Sequence, residues 1–200
     1  MTAQYLLRRC FKVKKGDTIL VHAAAGGVGL LLCQWGRHLG ATVIGTVGSK
    51  EKAALAKKNG AHHTILYRDE DWVKRVGEIT KGKKCDVVYD GVGKTTFMGS
   101  LDCLRPLGLM VSYGSASGAV EPFNLSILTQ KGSLFVTRPT MNTYTASAKD
   151  LQATAKDLFN VVLKKKVKIK VNQTYALKDA AQAHRDLESR KTTGQTVLLP

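Results

Sequence analysis

The residues whose spacing most directly predicts chemistry form one short glycine-rich segment. Residues 24–29 are Ala-Ala-Gly-Gly-Val-Gly, which matches the pattern G-x-G-x-x-G with alanine in the first position. The middle glycine lets the backbone approach a pyrophosphate, and the last allows a helix to pack closely on a strand. Free N–H groups and the helix dipole then attract phosphate. We therefore predict a dinucleotide site, with a purely steric role for the glycines as the alternative.

The charge that follows the second predicted strand indicates which dinucleotide binds. An NAD site places Asp or Glu at the end of that strand, about 20 residues after the glycines, to bind the ribose 2′-hydroxyl. No carboxylate occupies the strand end here, where Ser49, Lys50 and Lys52 are found instead. These side chains suit a 2′-phosphate, and we expect Glu51 to cap the next helix. The sequence therefore predicts NADPH rather than NADH, unless both lysines are ordinary solvated residues of a first helical turn.

Strands and helices that alternate along the chain must position this loop. Thr18–His22 is a short apolar run typical of a buried parallel strand, and 30–39 is an apolar helical run that ends at Gly40. The alternation repeats, with strands predicted at 42–47, 64–67, 85–90, 109–114 and 133–137 and helices at 51–59, 72–80 and 96–104. Such alternation predicts an α/β fold, a Rossmann doubly wound sheet of six parallel strands.

The last third of the chain does not continue this alternation. Helices are predicted at 148–163 and 177–189, and strands at 167–171 and 196–199. We interpret these elements as the return segment of an incomplete second domain. The sequence therefore predicts an NADPH-binding Rossmann domain over residues 1–140 and, over 141–200, the C-terminal segment of a largely absent catalytic domain.

Composition and charge restrict the class of protein. With 200 residues, 44% hydrophobic, the chain is neither disordered nor collagen-like. It has no apolar run long enough for a membrane span and no signal-peptide core at its start, so we expect a soluble, cytoplasmic protein. The net charge of +16 and the lysines between Lys164 and Lys170 suit nucleic acid, an anionic surface or a polyphosphate cofactor. A solvated lysine-rich face is the simpler interpretation, and no zinc-finger or RNP pattern supports nucleic-acid binding.

The four cysteines predict no metal site. Cys10, Cys33, Cys85 and Cys103 are far apart, with no CxxC and no histidine at metal-binding spacing. Cys33 lies in an apolar helical run and Cys85 begins a strand, so buried, reduced thiols are expected. No residue of the chain is predicted to be a catalytic acid or nucleophile.

Several longer runs resemble one enzyme family. The segments MTAQYLLRR, AAAGGVG, GTVGSKEK, VVYDGVG and ESRKTTGQTVLLP are similar to the NADPH:quinone oxidoreductases, the zinc-free, zeta-crystallin-like branch of the medium-chain dehydrogenase/reductase superfamily. The resemblance implies transfer of reducing equivalents from NADPH to a quinone. It also implies a subunit that begins with a GroES-like catalytic domain, which this sequence lacks, and a homodimer formed through the sixth strands of the two Rossmann sheets.

The same resemblance implies a set of cofactor-binding residues. The pyrophosphate would contact Ala25, Gly26, Gly27 and Val28, and the 2′-phosphate would contact Gly48, Ser49, Lys52, Tyr67 and Arg190. The path from adenosine to nicotinamide would be lined by Gly91, Tyr113, Gly114, Ser115, Phe135, Val136 and Thr137, with Thr2 at the nicotinamide end. The alternatives are packing roles for the aromatic residues and, for the arginine, a helix-end charge.

Three hypotheses for function follow. The first is the NADPH-binding part of a quinone oxidoreductase, with a small-molecule quinone as substrate. The second is a non-catalytic module that senses NADPH or binds a partner protein. The third, prompted by the net charge of +16, is RNA binding.

Overall fold

A six-stranded parallel sheet forms the centre of the computed structural model, which describes residues 1–200. Its strands are β1 (Thr18–Val21), β2 (Thr42–Val47), β3 (His63–Leu66), β4 (Cys85–Asp90), β5 (Leu104–Ser112) and β6 (Phe135–Thr137). Their order in the sheet is β3-β2-β1-β4-β5-β6, and every neighbouring pair is parallel. This order confirms the predicted doubly wound Rossmann sheet. The strand order reverses between β1 and β4, where such sheets open a crevice at the carboxyl ends of their strands.

Helices connect these strands and cover both faces of the sheet. The chain begins with α1 (Thr2–Tyr5) and a π-helical turn (Leu6–Cys10), and the helices that follow are α2 (Gly27–His38), α3 (Lys50–Lys58), α4 (Trp72–Ile79), α5 (Phe97–Asp102) and α6 (Ser126–Gln130). Successive residues of β1 point to opposite faces, so Ile19 and Val21 enter one apolar cluster and Leu20 the other. Burial on both faces explains why β1 is a continuous apolar run rather than an alternating one.

The N-terminal segment belongs to the core. Leu6 and Leu7 are fully buried, and the Tyr89 hydroxyl on β4 donates a hydrogen bond to the carbonyl oxygen of Leu6 over 3.1 Å. The sequence predicted no helix or strand before Thr18. Tertiary packing, rather than helix propensity, therefore fixes this segment.

The last third of the chain forms a separate small layer. It contains α7 (Met141–Tyr144), α8 (Ala148–Leu163), β7 (Val171–Ala176), a 3₁₀ turn (Leu177–Asp179), α9 (Ala180–Glu188) and β8 (Gln195–Leu199). Strands β7 and β8 pair in parallel as a two-stranded sheet, and a bridge between Gly26 and Gly194 connects this layer to the glycine loop. None of the helices combines the length and apolar character that a membrane crossing requires.

The predicted strand over residues 167–171 is wrong. The strand begins at Val171 and continues to Ala176, because the preceding residues complete the end of α8. Lys165 has a φ of 57°, and the N–H groups of Lys166 and Val167 both bond to the carbonyl oxygen of Val161. The Gln34 side chain then bonds both to the N–H and to the carbonyl oxygen of Lys168. Those groups are consequently not free for a strand neighbour.

Candidate functional site

A cleft of about 780 Å³ opens at the carboxyl ends of β1, β2 and β4. Its lining includes the glycine loop, the segment that follows β2, the tail between α9 and β8, and residues at the ends of β1, β3 and β4. It lies where the strand order reverses, the position at which doubly wound sheets bind ligands.

The glycine loop forms the N-terminus of α2 beside the cleft. Gly26 is the N-cap of α2, and the first intrahelical bond runs from Leu30 N–H to Gly26 O. The N–H groups of Gly27, Val28 and Gly29 precede that bond and therefore have no partner within the helix. A Cβ at Gly29 would overlap the carbonyl oxygen of Ala23, so only glycine permits this close packing. The loop can therefore hold an anion at the positive end of the α2 dipole.

A cluster of polar and cationic residues lies at the end of β2. Ser49 caps α3, where its hydroxyl accepts a hydrogen bond from Lys52 N–H over 3.3 Å. The Lys52 ammonium donates to the carbonyl oxygen of Arg190, and the Arg190 guanidinium donates to the Tyr67 hydroxyl over 3.2 Å. A Cβ at Gly48 would lie 2.8 Å from that hydroxyl. Arg190 thus meets Tyr67 and Lys52, which lie 123 and 138 positions away along the chain, in one cationic cluster.

The charge of the whole cleft has one sign. Among its 23 lining residues are Lys52, Arg68, Arg190 and Lys191, and none is Asp or Glu. Glu51 lies beside the cluster but does not cap α3 as predicted, because Ser49 takes that position. A hydrogen bond from Ser49 lowers the pKa of the exposed Glu51 carboxyl below its ordinary value. The cleft suits a ligand that carries several negative charges.

Uncharged residues form one wall of the cleft. His22, Trp72, Val92 and Thr96 lie along this wall. The imidazole of His22 meets the Trp72 indole edge-on, with ring centres 4.9 Å apart and planes at 88°. The two rings stand at the end of β1 and the start of α4, so this wall joins the sheet to its covering helix.

A buried hydrogen-bond network fixes His22. Its Nδ1 lies 2.8 Å from Thr46 Oγ1 and its Nε2 lies 3.0 Å from Ser100 Oγ. Ser100 directs its single hydroxyl proton to Asp90 Oδ2 or to the Thr96 carbonyl, which can only accept. Ser100 therefore accepts from His22 Nε2–H, which leaves Nδ1 to accept from Thr46. Burial lowers the pKa of His22, against the opposite effect of the Asp90 carboxylate, and the ring is accordingly neutral at pH 7.

The structure brings about half of the predicted cofactor residues into this cleft. Those that line it are Ala25, Gly26, Gly27, Gly48, Ser49, Lys52, Tyr67 and Arg190, whereas Thr2, Val28, Gly91, Tyr113, Gly114, Ser115, Phe135, Val136 and Thr137 lie outside it. All seventeen assignments stay predictions.

Several of the outlying residues nevertheless meet in the loops after β4 and β5. A Cβ at Gly114 would lie 2.6 Å from the carbonyl oxygen of Gly91, and a Cβ at Gly91 would lie 2.9 Å from the Tyr113 ring. Burial raises the pKa of the Tyr113 hydroxyl. Arg138, which the sequence reasoning missed, donates to the carbonyl oxygens of Ser112 and Gly114 over 3.0 and 2.8 Å. The loops after β4 and β5 therefore pack closely against each other, next to the cleft.

Other lining residues were also missed by the sequence reasoning. Arg68 follows a predicted strand, and His22 ends the strand before the glycine loop, so their positions were the available signal. Trp72 opens a helix, where an aromatic residue is ordinarily interpreted as core.

The lysines of residues 164–170 do not line the cleft, and none of them forms an ion pair with a carboxylate.

Comparison with known proteins decides the family. The sequence model described as "zinc-binding dehydrogenase" matches residues 27–153, more than half of the chain. The chain belongs to the zinc-binding dehydrogenase family. No group of three or more His, Cys, Asp or Glu side chains in its 200 residues is placed to hold a metal ion, so these residues do not fit the zinc of the family's description. Cys33, Cys85 and Cys103 are buried thiols, and burial raises the pKa of Cys33 to about 12.

Individual members of the zinc-binding dehydrogenase family match the whole chain. It is 55% identical over 200 residues to a quinone oxidoreductase of Pseudomonas aeruginosa and 49% identical to a 2-haloacrylate reductase of Burkholderia. The solved structure of Escherichia coli quinone oxidoreductase complexed with NADPH superimposes with a TM-score of 0.96 at 51% identity. The chain spans 60–62% of the length of these relatives and all of its own. The resemblance to quinone oxidoreductases stated from the sequence is confirmed.

Proposed function

We propose that this chain binds NADPH and forms the cofactor-binding part of a quinone oxidoreductase. The observation that carries the proposal is the cleft, which combines a glycine loop with four cations and contains no carboxylate. An NADH site would need a carboxylate at the end of β2, and there it would repel a 2′-phosphate. The relatives named quinone oxidoreductase and the NADPH complex of the Escherichia coli protein support the same assignment.

Each part of the cleft has a defined role in this proposal. The α2 N-terminus holds the pyrophosphate, and Ser49, Lys52, Tyr67 and Arg190 hold the 2′-phosphate. The loops at Gly91 and at Tyr113 to Ser115, with Phe135 to Thr137 on β6 and with Thr2, extend the site towards the nicotinamide. When bound, NADPH supplies the reducing equivalents that pass to the quinone. The chain's own contribution is to fix the cofactor so that the nicotinamide is oriented for transfer.

The proposal includes an arrangement of domains and subunits. We assign the cofactor role to residues 1–140, and residues 141–200 to the segment that completes a catalytic domain. This segment carries exposed apolar side chains, among them Phe159 at 60% and Leu163 at 78% exposure. We also propose a homodimer through β6, the outer strand of the large sheet.

Calorimetric titration with NADPH and with NADH tests the cofactor assignment. We expect NADPH to bind more tightly, because only it has the 2′-phosphate that the cation cluster can bind. Arg190→Gln and Lys52→Gln should each weaken NADPH binding by roughly tenfold, as expected for a charge-assisted hydrogen bond, and leave NADH binding unchanged. Lys57→Gln, on the same helix as Lys52 but outside the cleft, serves as the matched control. Equal affinity for both cofactors, or binding of neither, would contradict the proposal.

Oxidation of NADPH by a simple benzoquinone, followed by absorbance, tests the reaction. Turnover in the wild-type chain, with a KM for NADPH that rises in Arg190→Gln in step with its weaker cofactor binding, would support the quinone oxidoreductase assignment. NADPH binding without any turnover would instead favour the second hypothesis, a non-catalytic NADPH-binding module.

A further inference from the structure

The adenine ring of the cofactor has no binding residue assigned to it so far. The following inference rests on the proposed binding of NADPH. The glycine loop accounts for the pyrophosphate and the cation cluster for the 2′-phosphate. Adenine is attached to the ribose that carries the 2′-phosphate, so the base must lie in the same end of the cleft. Among the uncharged residues that line the cleft, Trp72 presents the largest aromatic ring, in the wall that it forms with His22, Val92 and Thr96.

Contacts with neighbouring residues fix the Trp72 side chain in this wall. It is the first residue of α4, and its ring lies against Gly99 of α5. A Cβ at Gly99 would lie 2.6 Å from Trp72 Cζ2 and 2.7 Å from Cη2, so this glycine makes room for the indole. His22 contacts the indole edge-on, and the hydrogen bonds to Thr46 and Ser100 fix His22 in turn. The ring is thus held on two sides while it still lines the cleft.

We propose that Trp72 is the residue against which the adenine of NADPH packs and that His22 is its positioning residue. A flat aromatic ring gains contact area from a purine without the need for a specific hydrogen bond. None of the four side chains of the wall carries a formal charge, since His22 is buried and neutral. Thr96 directs its single hydroxyl proton to Asp90 Oδ2 or to the carbonyl oxygen of Gly93, so it has no donor left for the base. Recognition at this wall is therefore mainly by ring contact.

Tryptophan fluorescence can observe this contact directly, because the chain has only two tryptophans. Trp35 is 1% exposed in the core, whereas Trp72 lines the cleft. Adenosine 2′,5′-bisphosphate is the probe, since it carries the base and both phosphates but does not absorb Trp emission as NADPH does. We expect it to quench the wild-type chain and Trp35→Phe, and not to quench Trp72→Phe. Ribose 5-phosphate, which lacks adenine and does not absorb Trp emission, should leave Trp72 emission unchanged.

Binding affinity provides a second measurement, which does not require the core substitution Trp35→Phe. Trp72→Leu should weaken binding of NADPH and of the bisphosphate by roughly tenfold or more, and Trp72→Phe by much less, because Phe retains a ring for stacking. His22→Ala should weaken both ligands, and His22→Gln should restore part of the loss because Gln can both donate and accept. Phe159→Leu, an exposed aromatic residue on α8 outside the cleft, should leave affinity unchanged.

The outcomes separate this inference from the proposed function. If the wild-type chain binds neither NADPH nor the bisphosphate, the proposed function fails. If both ligands bind but Trp72 is not quenched and Trp72→Leu retains full affinity, NADPH binding stands and the role of Trp72 is overturned.

Discussion

The glycines of this chain differ in how much space surrounds the position of an added Cβ, and two of them show which glycines packing requires. A Cβ at Gly29 would overlap Ala23 O and lie 2.8 Å from the Cα of Ala24, both backbone atoms that cannot rotate away. At Gly77 in α4 a Cβ would find no atom within 4 Å. The first glycine is required by the approach of α2 to β1, and the second is not required by packing at all.

Replacing each of these glycines by alanine should change stability in opposite directions. Gly29→Ala should lower the free energy of unfolding by about 1–3 kcal/mol, the usual cost of overpacking, and should also weaken NADPH binding because the loop must shift. Gly77→Ala should raise it by about 0.5–1 kcal/mol, since alanine is the better helix former. Urea unfolding monitored by circular dichroism measures both. If Gly29→Ala leaves the free energy of unfolding and NADPH binding unchanged, the loop tolerates a side chain and its glycine pattern is incidental.

At the scale of elements, the parallel strands were the most predictable part of the molecule. Buried strands of a doubly wound sheet are short apolar runs, so β1 and β2 were placed within one residue of their ends. The start of β5 was missed by five residues, because it begins at Leu104 before an irregular stretch. Leu107 there has a φ of 60°, which no apolar pattern reveals. The N-terminal turns were missed for a related reason: their stability comes from contacts with distant residues.

Strand β6 leaves one edge of the large sheet without a neighbour. It pairs only with β5, and two of its three side chains are strongly exposed, Phe135 at 59% and Val136 at 36%. Apolar side chains on an unpaired edge favour pairing with another strand. A second copy related by a two-fold axis would present the same edge.

Charges on this edge should therefore separate the proposed dimer. Phe135→Glu combined with Val136→Glu would place like charges opposite one another across the two-fold axis and remove the apolar contact. Sedimentation velocity should show a dimer for the wild-type chain and a monomer for the double variant. Leu125→Glu, at a loop position with 71% exposure, should remain dimeric. A wild-type chain that sediments as a monomer at every concentration would rule out the β6 interface.

At the scale of the whole molecule, the cleft exists only because distant segments meet. That the glycine loop meets Ser49 and Lys52 in one cleft was predictable, since these residues follow two neighbouring strands of the predicted sheet, β1 and β2. Arg190 and Tyr67 entered through the family resemblance alone, because 123 positions separate them along the chain. His22 and Trp72 carried no sequence signal of a shared wall. Residues that act through contacts across the fold cannot be found from local pattern, whatever their chemistry.

The tail from Arg190 to Gln195 closes one side of the cleft, and NADPH should lock it in place. Gly194 N–H donates to the carbonyl oxygen of Ala25 over 2.8 Å, and Arg190 reaches Tyr67. A ligand that binds the glycine loop and Arg190 together joins the tail to the sheet. A bound ligand also stabilises the folded state by mass action, and the closed tail shares in that stabilisation.

Hydrogen exchange with and without NADPH should show this closure. We expect slower exchange at residues 24–29 and at 190–195, with no change at the lysine-rich segment 164–170. In Arg190→Gln, at NADPH concentrations that restore saturation, protection should persist at 24–29 and disappear at 190–195, because the tail then lacks its contact with the phosphate. Protection of 190–195 that is unchanged in this variant would mean that the backbone bond to Ala25, rather than the cofactor, holds the tail. In that case Arg190 would contribute charge to the cleft without closing it.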